Sequence, residues 1–325
     1  MGSKRARLSI ALTTFNGSEY LAEQLSSFEK QTRRPDELVV CDDGSSDDTF
    51  DQLEAFARRA PFEIRIFRNS ARIGPTENFA RAIALCEGDL IALSDQDDVW
   101  CPEKLARMEY LILKDSLVGG VFCNALIVDE RLRPCGLEMW DRVDLSGESR
   151  RQVEEGCALP VLLKRYRVQG ATLMFQAKLT TTILPIPEGW SHDAWIAVVT
   201  ASLFKLRGIP LCLQKYRQHG GNVVGAGSGG FLEKLQKGWT PTRATYYQAE
   251  ITKYSVLLNR LRETTIVPDH AIQLISEKLR HLSARAAFPR GLVPRCTAII
   301  REWRAGGYRR YATDWRSVLL DLFKR

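Results

Sequence analysis

The sequence predicts an α/β fold, a mostly parallel sheet flanked by helices, followed by a helical and basic C-terminal region. Three observations lead there. Short apolar runs alternate with helical patterns over roughly the first hundred residues. Polar and acidic residues gather where those apolar runs end, and basic residues concentrate past residue 225.

Residues 8–12 read as a first strand, and Thr13 to Gly17 as the loop after it. A helix over residues 18–30 follows, because Leu21, Leu25 and Phe28 recur at helical spacing and Ser18 is a suitable cap. Residues 38–41 form a second short strand that ends in Asp42 and Asp43. The next helix presents Phe50, Leu53, Phe56 and Ala57 inward, and residues 62–67 alternate as a strand does. A Gly74-Pro75 turn opens a helix through Phe79, Ile83 and Leu85. The run from Leu90 to Leu93 is a fourth, buried strand that stops at Ser94, Asp95, Gln96, Asp97 and Asp98. Pro102 starts a helix through Leu105, Met108 and Ile112. Strand-like segments cover residues 120–128 and 170–175, separated by a polar stretch, 129–155, expected as loops or a flap. Asp193 lies near the first turn of a helix at 196–204, and a strand at 211–216 delivers Arg217 and His219 into a loop. The glycine- and serine-rich residues 225–230 mark a boundary, so the expected division is a catalytic domain at 1–225 and a helical region at 226–325.

Charge is distributed unevenly. The chain carries +7, but residues 226–325 hold 18 basic and 8 acidic residues, or +10, which leaves −3 for the rest. Trp315, Val318, Leu319, Leu322 and Phe323 form an apolar stripe beside these arginines, so the expected partner is a peripheral anionic membrane surface, with packing of this helix on its own domain as the alternative. No nucleic-acid motif accompanies it, and no nucleic-acid partner is expected. The eight cysteines show no CxxC pair or metal-ligand spacing, which fits a reduced cytoplasmic setting. The apolar run after Arg7 ends at Thr13, too early for a signal-peptide core, and no run is long enough to span a bilayer.

Ligands of open parallel sheets collect outside the carboxyl ends of the strands. Three polar clusters fall there, at Thr13 to Asn16, Asp42–Asp43 and Asp95 to Asp98. Each alone is an ordinary turn or helix cap. Together they point to a site, and carboxylates packed this closely call for a hard divalent cation with oxygen ligands. No glycine-rich phosphate loop suggests a competing nucleotide site.

The stretches LSIALTTFNGSEYLAEQLSSFEKQTRRPDELVVCDDGSSDDT and NFARAIALCEGDLIALSDQDD, followed by SHDAW and YRQHGGN, resemble family 2 glycosyltransferases of the GT-A (Rossmann-like) fold. The SDQDDVW and YRQHGGN forms are similar to bacterial members that build O-antigen and exopolysaccharide, including rhamnosyltransferase-like proteins. The resemblance implies nucleotide and donor contacts at Thr13, Phe15, Asp43, Asn78, Asp95 and Arg217. It implies metal contacts (Mn or Mg) at Asp97 and His219, and a general base at Asp193. Ala194 stands where the family pattern leads one to expect Trp, and the QxxRW sequence of processive synthases is missing, which favours single addition. The implied enzyme is inverting and metal-dependent, moving a sugar from a UDP- or dTDP-sugar, dTDP-rhamnose among them, to a lipid-linked or growing glycan at the inner face of the cell membrane. A nucleotidyltransferase and a non-catalytic sugar-nucleotide-binding scaffold are the alternatives.

Overall fold

The computed structural model describes residues 5–220, 243–264, 267–312 and 316–323. The expected boundary at 225–230, Asn222 of YRQHGGN, and Trp315 lie outside the described residues. Two compact units emerge. One comprises Met1–Ala158 with Arg167–His219, the other Leu159–Tyr166 with Gly220–Arg325. The short segment Leu159–Tyr166 thus groups with the C-terminal residues, although it precedes the last strands in sequence.

In the first unit, β1 (Leu8–Thr14), β2 (Glu37–Asp42), β3 (Glu63–Arg68) and β4 (Leu90–Ser94) form a parallel block in the order β3-β2-β1-β4. The crossovers are α1 (Ser18–Glu29), α2 (Thr49–Ala57) and α3 (Pro75–Leu85). Alternation along the strands decides the layers. Leu8, Ile10, Leu12, Leu38 and Val40 pack with Leu21, Leu25, Phe28, Leu53 and Phe56 in one cluster. The intervening Ala11, Val39 and Cys41 point the other way and are equally buried, as are Phe79, Ala82 and Ile83 of α3. With both faces covered, the strands read as continuous apolar runs.

Beyond β4 the sheet turns mixed. β8 (Leu173–Gln176) joins β4 and β6 (Val118–Val128) antiparallel, and β9 (Lys205–Arg217) runs parallel to β6. The two-residue β5 (Val99–Trp100), directly after the acidic turn, pairs antiparallel with β9. This pairing was not expected, because two residues carry no periodicity. The stretch 129–155, expected as loops, instead contains β7 (Pro134–Glu138), paired to β6, and the helices α5 (Met139–Arg142) and α6 (Gly147–Glu154). Helix α4 (Lys104–Lys114) follows β5, and α7 (Ala158–Lys164) and α8 (Thr180–Ile183) precede α9 (His192–Leu203). Helix α9 therefore begins earlier than its apolar run, with Asp193 in the first turn. Ser18 is not the cap of α1. Gly17 holds that position, and the Ser18 N–H donates to Asp47 Oδ2 at 3.1 Å, so the capping acceptor comes from the neighbouring loop.

The second unit contains α10 (Arg243–Arg262), α11 (Asp269–Ala286), α12 (Leu292–Arg304), α13 (Gly307–Tyr311) and α14 (Arg316–Phe323). It is locked by buried polar groups as well as apolar ones. Asp321, fully buried, accepts from Tyr247 and Tyr308 hydroxyls and from Arg285 Nε, each at 2.6 Å. The stripe expected on the last helix is split accordingly. Val318 and Leu322 pack inward beside Ile299 and Tyr308, whereas Leu319 and Phe323 face solvent. No described helix is long and apolar enough to cross a membrane. All eight cysteines are free thiols.

Candidate active site

The three polar clusters come together at the carboxyl edge of β1, β2 and β4, as the parallel register requires. After β1, Thr14 Oγ1 donates to Asp42 Oδ1 at 2.8 Å, and Asn16, at φ 46°, enters the left-handed region that turns the chain into α1. Thr13 and Phe15 stay partly exposed at this edge. The guanidinium of Arg72 lies 4.0 Å over the Phe15 ring. The Phe15 backbone is clamped by one side chain. Its N–H donates to Gln96 Oε1 at 2.8 Å, and its carbonyl accepts from Gln96 Nε2 at 3.1 Å. Gln96, the middle residue of the acidic motif, thus ties the first loop to the fourth. Only a side chain with both donor and acceptor does this, and only glycine at position 17 leaves it room.

Asp43 is 3% exposed and spends its carboxylate on the loop that leads into α3. Oδ1 accepts from Asn69 Nδ2 and the Ile73 N–H, both at 2.8 Å, and Oδ2 accepts from the Gly74 N–H at 2.9 Å. Gly74 has φ +88°, which favours glycine there. Asp43 therefore shapes the loop that carries Arg72 to Phe15. Asn78 is placed differently from its expected donor contact. It is 2% exposed, donates to the Cys41 carbonyl at 2.8 Å and accepts from Asn69 at 2.9 Å, which makes it a brace behind Asp43.

At the end of β4 the aspartates diverge. Asp98 is fully buried, accepting from Gln214 Nε2 at 3.0 Å and the Arg217 N–H at 3.2 Å. Burial and its acidic neighbours push its carboxyl well up. Asp95 is half-buried, and burial first, then the charges of Asp97 and Asp193, raise it to about 7. Asp97 Oδ2 sits 2.8 Å from His219 Nε2, and the imidazole rests on the Tyr20 ring at 4.7 Å between centroids. Beneath the cluster, Lys104 is 1% exposed and donates to Gln214 Oε1 at 2.5 Å and the Ala171 carbonyl at 2.6 Å. Burial lowers its pKa to about 8.

Arg217 also departs from its expected role. It is 2% exposed, with Nε donating to the Asp97 carbonyl at 2.8 Å, Nη1 to the Glu130 carbonyl at 2.5 Å, and Nη2 bonded to Glu23. These bonds buttress the acidic turn. Across the site, Asp193 Oδ1 accepts from the Ala194 N–H at 2.7 Å. The adjacent His192 ring stacks on Phe79 at 3.9 Å and 20°, and burial lowers its pKa. Gly170 permits this approach, since a Cβ there would fall 2.7 Å from His192 Nε2 and 3.2 Å from the Asp193 Cβ.

Of the residues to which the resemblance gave roles, Thr13, Phe15, Asp95, Asp97, His219 and Asp193 border one region, and Asp43, Asn78 and Arg217 support it. Gln96, Arg72, Lys104, Gln214 and His192 were missed. Gln96 was legible as the interior of an acidic motif, whereas the others gain meaning only from long-range contacts. No group of three or more His, Cys, Asp or Glu among the described residues forms a closed metal cage. The donor set does fit a hard divalent cation bound through one carboxylate and one imidazole, with phosphate and water oxygens completing it. The charges of Asp97 and Asp193 are both felt at Asp95, and a cation bound beside them would relieve that repulsion.

Residues 9–134 match the family model for glycosyl transferase family 2. An uncharacterized glycosyltransferase of Nostoc sp. is 28% identical over 224 residues, 66% of each chain. Abequosyltransferase RfbV of Salmonella typhimurium is 30% identical over 119 residues, 36% of this chain and 35% of its own. The Escherichia coli UDP-Glc:alpha-D-GlcNAc-diphosphoundecaprenol beta-1,3-glucosyltransferase WfgD is 33% identical over 34% of this chain and 42% of its own. The match thus spans from about a third to just under two thirds of these relatives. Among solved structures, Staphylococcus aureus TarS with UDP-GlcNAc superposes with a TM-score of 0.57 at 15% identity, covering 96% of this chain and 90% of TarS. The Pyrobaculum calidifontis mannosyltransferase with GDP-Man and Mn2+ gives 0.54 at 16% identity, over 98% and 86%. Residues 9–134 thus resemble a glycosyl transferase family 2 domain, and the chain has the GT-A fold.

Proposed function

We propose that this protein is an inverting, metal-dependent glycosyltransferase that moves one sugar from a uridine or thymidine diphosphate sugar to a lipid-linked or growing glycan of a cell-surface polysaccharide. The observation that carries the reading is the pairing of Asp97 with His219 beside Asp95, with the Asp193 charge felt at Asp95 from the far side. In this reading the nucleobase lies against Phe15, with Arg72 and Thr13 beside it and Asp43 holding their loops. Asp95 faces the ribose or donor sugar. Asp97 and His219 hold the cation, which when bound neutralises the charge that develops on the leaving diphosphate.

The acceptor hydroxyl enters from the side of α9. Its oxygen bonds to the anomeric carbon as the carbon–oxygen bond to the diphosphate breaks, and its proton passes to the Asp193 carboxylate. One displacement inverts the anomeric centre and requires no covalent intermediate. The named activity of WfgD supports an acceptor carrying a lipid diphosphate, and the UDP-sugar bound to TarS supports a uridine donor as the first to test.

The test is a donor screen that follows nucleoside diphosphate release with Mn or Mg, alongside Asp193→Asn. Turnover that disappears in the variant while nucleoside diphosphate binding persists supports the assignment. Release of pyrophosphate would identify a nucleotidyltransferase. Binding without turnover on every donor would identify a non-catalytic protein.

A further inference from the structure

The second unit presents a surface that the catalytic reading leaves unused. Helix α12 turns Arg295 and Ile299 inward, each 6% exposed. Leu292, Val293, Ile300 and Trp303 of the same helix are 62%, 77%, 52% and 57% exposed. At about 100° per residue, these four and Cys296 fall on one continuous flank of the helix, beside its buried face, and Arg304 and Arg301 follow next around the helix. Large apolar side chains gathered in this way are uncommon on a surface that meets only water.

Charge identifies what covers them. Between residues 289 and 323 the described acidic side chains are Glu302 and Asp321, and both turn inward, to His281 and to Arg285 respectively. Over the same span Arg290, Arg301, Arg304, Arg309 and Arg316 are exposed, and Arg310, also exposed, pairs with Glu277 at 2.8 Å. The described surface here is therefore apolar and cationic, with its acids withdrawn. A second copy of the chain would bring two arginine-rimmed faces together, which repels. A nucleic acid would meet the arginines but leave Leu292, Val293 and Ile300 against a polar backbone.

We infer that the exposed flank of α12 seats on an anionic lipid bilayer, with Leu292, Val293, Ile300 and Trp303 entering the headgroup boundary and the flanking arginines meeting lipid phosphates. This places the membrane contact on α12, where four large apolar side chains are more than half exposed, rather than on α14, where Phe323 is exposed to that degree and Leu319 and Leu320 are 41% and 44% exposed. The inference is independent of glycosyl transfer, because vesicle binding needs neither donor nor acceptor.

The experiment is co-sedimentation of the full chain with phosphatidylglycerol–phosphatidylcholine vesicles and with pure phosphatidylcholine vesicles. The wild type should bind the anionic vesicles, more weakly as salt rises. Ile300→Ser/Trp303→Ser should bind them roughly tenfold less tightly or worse, while Leu320→Ser/Phe323→Ser stays within about twofold of wild type. Leu292→Ser/Val293→Ser repeats the test at the other end of the flank in case the first pair unfolds. Undiminished binding by either folded α12 variant overturns the inference, as does absence of wild-type binding to anionic vesicles. Duplex DNA binding as tight as vesicle binding, or a dimer in sedimentation that the α12 variants dissolve, overturns the choice of a bilayer.

Discussion

Replacing Gln96 by Leu removes both bonds of the clamp on Phe15 at nearly constant volume. The Phe15 N–H loses its acceptor at 2.8 Å and the carbonyl its donor at 3.1 Å. Leaving such backbone groups unpaired costs about 1–3 kcal/mol each when fully buried. Phe15 and Gln96 are only half-buried, so water takes over part of the loss, and a total of about 1–2 kcal/mol is the expected penalty. That corresponds to a fall in nucleoside diphosphate affinity of roughly 5- to 30-fold, because the loop must be re-ordered before a base stacks on it. For a unit of this size the melting temperature should drop by about 2–6 °C. Calorimetric titration with nucleoside diphosphate, with and without Mn, reads the effect. The loss should appear in both titrations, because Phe15 is displaced and Asp97 is not. Unchanged affinity at an unchanged melting temperature, or a loss confined to the metal-dependent part, would refute the role given to Gln96.

Asp97→Ala should abolish the metal-dependent part of nucleoside diphosphate binding and leave circular dichroism unaltered; undiminished Mn-dependent binding would sink the assignment. The Asp95 carboxyl, raised to about 7, holds a proton that competes with a cation. Metal-dependent binding should therefore weaken by up to roughly tenfold per unit as pH falls below about 7 and level off above it, which titration across that range would show. Gly170→Ala puts a methyl 2.7 Å from His192 Nε2 and 3.2 Å from the Asp193 Cβ, and since the ring is also stacked on Phe79, the start of α9 and Asp193 with it must shift. A drop in kcat of about 10- to 100-fold with unchanged nucleoside diphosphate binding is expected from steady-state rates and titration.

The parallel block was legible because its strands are buried on both faces and its crossovers are amphipathic, so the local pattern and the topology agree. The mixed half was not. β5 is two residues long, and its pairing with β9 joins residues more than a hundred positions apart, which no local period encodes. The same limit separates the site residues. Asp97 stood out as part of an acidic cluster at a strand end, whereas His219 and Asp193 were singled out through the family motifs YRQHGGN and SHDAW. Lys104, by contrast, reads as an ordinary residue at a helix start, and only Gln214 and Ala171 reveal it as a buried cation under the aspartates. Asn78 and Arg217 were donor contacts by family resemblance alone, which carries no information on burial. Their burial shows where their hydrogen bonds go.

Lys104 and Arg217 explain how the aspartate cluster is tolerated. The buried cation, Lys104, bonds to Gln214 and not directly to a carboxylate, so the Gln214 amide carries its influence to Asp98. Arg217 donates from Nε to the Asp97 backbone carbonyl, and its own N–H donates to Asp98. A direct pairing of Lys104 with Asp95 or Asp97 would quench the negative potential that attracts a divalent ion. Neutral amides at Gln96 and Gln214 hold the geometry, and the net charge of the cluster stays available to a ligand.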